Sequence, residues 1–136
     1  MPTPVPPDVE LVVVDYLRRP ASALVALVDD RVYTVVPRDA VFPLLRVVRY
    51  SGGPVRSAPL HLLSIGLQLD AFGGSKADAR RLLDAARLEL ASIELATHTG
   101  AVVTGAQFGE VRYLPDSDYN PPKPRYASDV SILAHP

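Results

Sequence analysis

The sequence predicts an α+β domain, a mainly antiparallel β-sheet with helices packed on one face, and three observations carry that prediction. In residues 63–71 the apolar Leu63, Ile65, Leu67, Leu69 and Ala71 alternate with Ser64, Gly66, Gln68 and Asp70, the period of a strand with one buried face. Gly73-Gly74 then breaks the strand, and Ser75 with Asp78 approximates a capping box for the longest helix. In that helix Ala79, Leu82, Leu83, Ala86, Leu90 and Ile93 recur at steps of three and four, opposite Lys76, Arg80, Asp84 and Arg87. Along the chain the order runs helix, strands, helix, strands, the order of a sheet with helices on one side.

Taken in order, Pro2, Pro4, Pro6 and Pro7 make residues 1–7 a flexible proline-rich arm, and residues 8–136 form a single domain. Asp8 can cap a first helix whose inner face is Val9, Val12, Val13, Tyr16 and Leu17, with Arg18-Arg19 in its last turn and Pro20 just beyond. The β-branched valines favour a strand, but the segment does not alternate, so a helix is the better reading. Residues 22–28 give one or two further helical turns. Residues 31–36 read as a strand closed by Pro37. Pro43 heads a second strand over 44–50, in which Leu45 and Val47 face one way and Leu44, Val48 and Tyr50 the other.

Residues 51–59, with Gly52, Gly53 and Arg56, form a link that is long for a hairpin, and such loops are often functional. After the long helix, residues 97–100 read as a turn and 101–108 as a strand that residues 110–114 continue past a bulge. Residues 115–124, containing Asp116, Asp118 and Lys123, are polar and proline-rich. The last strand spans 125–134, with Tyr126, Val130, Ile132 and Ala134 on one side and Arg125, Asp129 and Ser131 on the other.

The 136 residues suffice for one core that buries roughly two-thirds of the unfolded surface. With 48% hydrophobic and 21% charged residues, the chain has the composition of a globular protein and not of a disordered one. A net charge of −1 offers no general case for binding phosphate backbones, so no specific nucleic-acid binding is expected. There is no cysteine, which excludes disulfides, thiol catalysis and thiolate metal sites. Neither a signal peptide nor a membrane span is expected, because no long apolar run exists.

The chemical motifs are weak. Gly73-Gly74-Ser75-Lys76 sits where helix amides could hold a phosphate, but it lacks the spacing of a nucleotide-binding loop and reads as a turn and cap. Asp116, Asp118 and Asn120 imitate the start of a calcium loop, yet Pro121 replaces its glycine and Ala127 its final glutamate. His61, His98 and His135 are isolated, and no serine stands in a nucleophile elbow. A Pro-x-x-Pro spacing at 121–124 reads as a rigid loop. Catalytic residues, metal ligands and cofactors are therefore expected to be none. The loops point instead to contact with other proteins.

Several signatures also line up in order: Pro7-Asp8-Val9-Glu10 with Val13-Val14-Asp15-Tyr16-Leu17-Arg18, Asp30-Arg31-Val32-Tyr33-Thr34, Phe42-Pro43, Leu69-Asp70-Ala71-Phe72-Gly73-Gly74 with Lys76-Ala77, then Pro124-Arg125-Tyr126 and Asp129-Val130. In this order the chain resembles the tail terminator and tail completion proteins of long-tailed bacteriophages over residues 8–134. The resemblance implies a virion protein, assembled in the host cytoplasm, that forms a homo-hexameric ring on the tail tube protein. It further implies that the ring stops tube growth and joins the head's connector or neck protein, with DNA passing through its lumen.

On that expectation Gly52, Gly53, Arg56, Asp116, Asp118 and Lys123 belong to loops that meet tube or neck, and the sheet edges and the helix face of Arg80, Arg81 and Arg87 contribute to contacts between subunits. Deleting residues 52–58 is then expected to spare folding and abolish capping. The alternatives are a head completion or connector protein of the neck, or a small-ligand-binding domain that uses Asp116, Asp118 or a histidine.

Overall fold

The computed structural model describes residues 8–54, 62–93, 97–98 and 101–135. The expected arm at residues 1–7 and Arg56 lie outside them. Helix α1 (Val9–Arg18) begins where the Asp8 carboxylate accepts the Leu11 N–H at 3.1 Å, satisfying a donor that the first turn leaves without a partner. It buries Val9, Val12, Val13, Val14, Tyr16 and Leu17. Burying a side chain of this size contributes roughly 1.5–3 kcal/mol relative to leaving it in water, which outweighs the weak helix propensity of valine. Residues 22–28 supply one short helix, α2 (Val25–Val28), as expected.

Among the described residues six strands form one sheet: β1 (Val32–Tyr33), β2 (Leu44–Pro54), β3 (Leu63–Phe72), β4 (Thr97–His98), β5 (Ala101–Tyr113) and β6 (Arg125–His135). Their spatial order is β1-β2-β3-β6-β5-β4, and every pairing is antiparallel except β1 with β2. Helix α3 (Lys76–Leu90) follows β3. Its cap is the one the sequence announces, the Ser75 hydroxyl accepting the Asp78 N–H at 3.1 Å. Gly73 makes the turn into α3 possible, since a Cβ there would lie 2.5 Å from the Ala79 backbone nitrogen.

The helices share one face of the sheet. Leu45 and Val47 of β2, Ile65, Leu67, Leu69 and Ala71 of β3, and Val130, Ile132 and Ala134 of β6 meet Leu82, Leu83, Ala86 and Leu90 of α3 and the buried face of α1 in a single core. The fold is the expected α+β arrangement. Helix α1 contacts β1, β2 and β4 as well as α3. Six flat strands would span about 24 Å, whereas a ten-residue helix is about 15 Å long. The sheet therefore curls, bringing its two short end strands toward α1.

Several boundaries differ from expectation: α3 ends at Leu90, before Ile93, and β5 ends at Tyr113. The strand over residues 31–36 shrinks to Val32–Tyr33, because Val35 is 81% exposed and has no layer to pack against. Strand β2 runs four residues further than expected, so residues 51–54 are strand and not loop, pairing with Gly66, Ile65, Ser64 and Leu63. The reason is a bulge between Arg49 and Ser51 with Gly52 at φ 115°, where a Cβ would fall 2.3 Å from the Ser64 carbonyl oxygen. A deletion of residues 52–58 would thus cut into the sheet, contrary to the expectation that it spares folding. Thr97–His98, expected within a turn, is β4, and the final strand extends one residue to His135.

Candidate interface on the uncovered sheet face

Cross-strand partners point to the same side of a sheet, so the register defines the face that the helices leave open. One row across it is Arg46, Asp70, Ala127 and Arg112; the next holds Val48, Gln68 and Asp129; a third holds Ser51, Gly66, Ser131 and Gln107. Asp70 is fully buried on this face. Its Oδ2 accepts from Arg46 Nε at 3.0 Å and Nη2 at 2.7 Å, and its Oδ1 accepts from Gln68 Nε2 at 2.8 Å. The charge is compensated from both sides, as burial of a carboxylate requires. Arg112 and Asp129 form a looser, more exposed pair at 3.5 Å.

In the third row Gly66 has no room for a side chain, because Tyr50 and Ser51 lie over it. A Cβ at Gly66 would come 2.3 Å from the Ser51 hydroxyl and 3.0 Å from the Tyr50 ring. Tyr50 itself is 57% exposed. This end of the face is neutral and shallow, and the opposite end is cationic and aromatic.

At that opposite end Phe72, the last residue of β3, supports Phe42 edge-on at 5.9 Å between ring centroids, and Phe42 meets Tyr119 edge-on at 5.7 Å. The Lys123 ammonium stands 4.0 Å from the Phe42 centroid, and the Arg46 and Arg125 guanidinium carbons lie 5.7 and 5.8 Å from that of Phe72. Each cation faces the electron-rich side of a ring, an attraction that grows as water is excluded. The loop over residues 115–124 is fastened here. The Asp116 and Lys123 backbones exchange hydrogen bonds at 2.9 and 3.1 Å, the Asp116 carboxylate accepts the Asp118 N–H at 3.0 Å, and the Gly73 N–H reaches the Pro124 carbonyl at 3.1 Å.

The sequence-derived contact residues thus fall in different settings. Asp116 and Lys123 are half-buried within the fastened loop, and Asp118 is exposed beside them. Gly52 and Gly53 belong to β2. The three α3 arginines do not share one surface. Arg81 leans toward Asp78 at 3.4 Å and borders a hollow of about 250 Å³ between Leu27, Val28, Phe42, Pro43 and Leu82. Arg80 is paired with Asp84 at 3.0 Å and lies over Tyr126, while Arg87 reaches the Gly109 carbonyl at 3.2 Å and lies over Phe108.

Sequence reading missed Phe42, Tyr119 and the buried Asp70–Arg46 pair. A carboxylate among Leu69, Ala71 and Phe72 was the available signal for the last of these. Among the described residues, no group of three or more His, Cys, Asp or Glu side chains could hold a metal ion, and no helix is long and apolar enough to cross a membrane.

The surfaces that distinguish this α+β domain, a polar sheet face, a stacked aromatic end and a fastened loop, suit contact with other proteins. Comparison with known families makes the assignment more definite. The family model described as tail completion protein gp17 matches residues 17–120, and the chain belongs to that family. It is accordingly a structural protein of the bacteriophage tail and virion, and it assembles with other phage structural proteins. A search of curated proteins found no match. Sixteen chains of solved structures match. One, from the virion of a native gene transfer agent particle, is 18% identical over 93% of this chain and 92% of that chain, with a TM-score of 0.60. At that identity the likeness is one of fold.

Proposed function

We propose that the protein caps the tail tube as a homo-hexameric ring, ends tube polymerisation and offers the surface to which the head's connector or neck protein joins. The observation that carries this reading is the match to the tail completion family over residues 17–120. Physical support comes from the division of surfaces. A closed ring of identical subunits uses heterologous contacts, so each subunit needs two different patches for its neighbours, besides those for tube and neck. The open sheet face, the fastened loop and the helix layer are distinct enough to serve these roles.

In this reading residues 8–136 are the ring-forming unit. The loop that carries Asp118 and Lys123 meets the tube or the neck protein, as do Gly52, Gly53 and Arg56, and Arg81 contributes to contacts between subunits. DNA passes through the lumen without sequence-specific contact, and the protein performs no catalysis.

Light scattering over a concentration series tests the ring directly. The expected species has a mass of about 88 kDa, about six times the 14.7 kDa chain. A monomer that stays monomeric on polymerised tail tubes contradicts the reading. A ring that associates with tail-less heads and ignores tubes would assign the protein to the neck instead.

A further inference from the structure

Strand β5 has a free edge. Strand β4 pairs only with Ala101 and Val102, so among the described residues the outer side of β5 from residue 103 to 113 has no strand beside it. The other end of the sheet is better closed. There Leu45 N–H is taken by the Arg31 carbonyl at 3.0 Å, and Arg49 N–H by the Glu10 carboxylate at 2.7 Å. An unpaired edge is a template for another extended chain, and proteins that do not use such an edge generally block it.

The helix-side surface along this edge has its own chemistry. Helix α3 packs over β3 and β6, leaving β5 to project beyond it. Phe108, Val111 and Tyr113 form an apolar shelf on that side, and three cationic side chains of α3 roof it: Lys76 at 4.6 Å from the Tyr113 ring, Arg80 at 5.5 Å from the Tyr126 ring, and Arg87 at 5.4 Å from the Phe108 ring. The Arg87 Nε is buried without a hydrogen-bond partner. The Arg87 Nη2 donates to the Gly109 carbonyl, which holds the guanidinium over Phe108 with its charge beside the edge.

We propose that the free edge of β5, roofed by Lys76, Arg80 and Arg87, receives an extended acidic segment of a partner protein as an additional strand. The proposal rests on the assembly reading for the existence of a partner, and it gives that partner the roof to which Arg80 and Arg87 belong. Backbone pairing with the edge supplies affinity, and alternate side chains supply selectivity. Apolar residues of the segment meet Phe108 and Val111, and carboxylates meet Lys76 and Arg87, while Arg80 stays paired with Asp84. A second copy of this chain is a poor occupant through the same edge, since β5 against β5 would set the cationic roofs side by side. The register shifts between Val103 and Gly105 and between Phe108 and Val111 also bend β5 away from a flat self-pairing.

Amide hydrogen exchange of the full chain, with and without a short peptide of alternating glutamate and valine, tests the proposal. The peptide should slow exchange within residues 104–113 by about tenfold or more, while a lysine-valine peptide of equal length has no effect. Arg87→Gln and, at an exposed position, Lys76→Gln should each weaken the protection, with unchanged melting temperatures showing that the fold persists. Equal protection by both peptides, protection elsewhere, or none overturns the proposal. So does protection that depends on protein concentration alone, which would make a second copy the occupant. The ring reading is judged separately, by solution mass.

Discussion

Asp70 shows how much one residue can hold in place. It stands on the uncovered face yet is fully buried, because Arg46 and Gln68 close over it. Removing the cation leaves a buried carboxylate with a single neutral donor. Arg46→Leu is therefore expected to destabilise the fold by about 3 kcal/mol, the low end of the range for breaking a buried pair, because the Arg46 side chain is 30% exposed. Urea denaturation measures this, and an unchanged midpoint would contradict it. Glu89 is the corresponding residue in the helix layer. The Ala23 N–H donates to Oε1 at 2.9 Å and Arg19 Nη2 to Oε2 at 2.6 Å. The Ala23 hydrogen bond, reinforced by the hydrogen bond and charge of Arg19, outweighs burial and lowers the carboxyl pKa from its ordinary 4.5. A lowered folded-state pKa stabilises the fold above the unfolded value, and that contribution is lost as pH falls through the folded value. Glu89→Gln should cost about 1–3 kcal/mol at neutral pH and progressively less in acid, as thermal melts from pH 7 downward would register. A cost independent of pH would show that the charge is not what matters.

The elements that were legible in the sequence are those whose local chemistry and tertiary role agree. Asp8 and Ser75 announce their helices and cap them, and the alternation in residues 63–71 and 125–134 sets the helix-facing side of β3 and β6. What was not legible depends on partners distant in sequence. Residues 51–54 carry glycines and a proline that suggest a loop, and only their pairing with residues 63–66 makes them strand. Likewise β4 is two residues long, too short for periodicity, and exists because Ala101 and Val102 lie beside it. The site was less legible than the fold: the 115–124 loop was recognised, but its stacking on Phe42 and Phe72 arises from three separate segments. Gly52 tests the β2 extension. Gly52→Ala combines a left-handed φ with a clash against the Ser64 backbone and should cost about 2 kcal/mol or more, with faster amide exchange at residues 63–66. A neutral substitution would mean that the bulge is not needed to keep β2 paired.

For the molecule as a whole, a division of labour emerges between its two sides. The helix layer closes the core, while the open sheet face, the fastened loop and the β5 edge, with the α3 cations, are the surfaces we propose for partners. Membership of the tail completion family gives those surfaces a setting, the phage tail. The most direct test of the capping function is made on growing tail tubes. Purified protein is added to polymerising tube protein, and tube ends and lengths are followed by electron microscopy. The account predicts ring-shaped density at tube ends and arrested growth, with Asp118→Lys, at an exposed position of the fastened loop, folding normally but capping less well. Tubes that lengthen at an unchanged rate with bare ends, in the presence of folded protein, would contradict it.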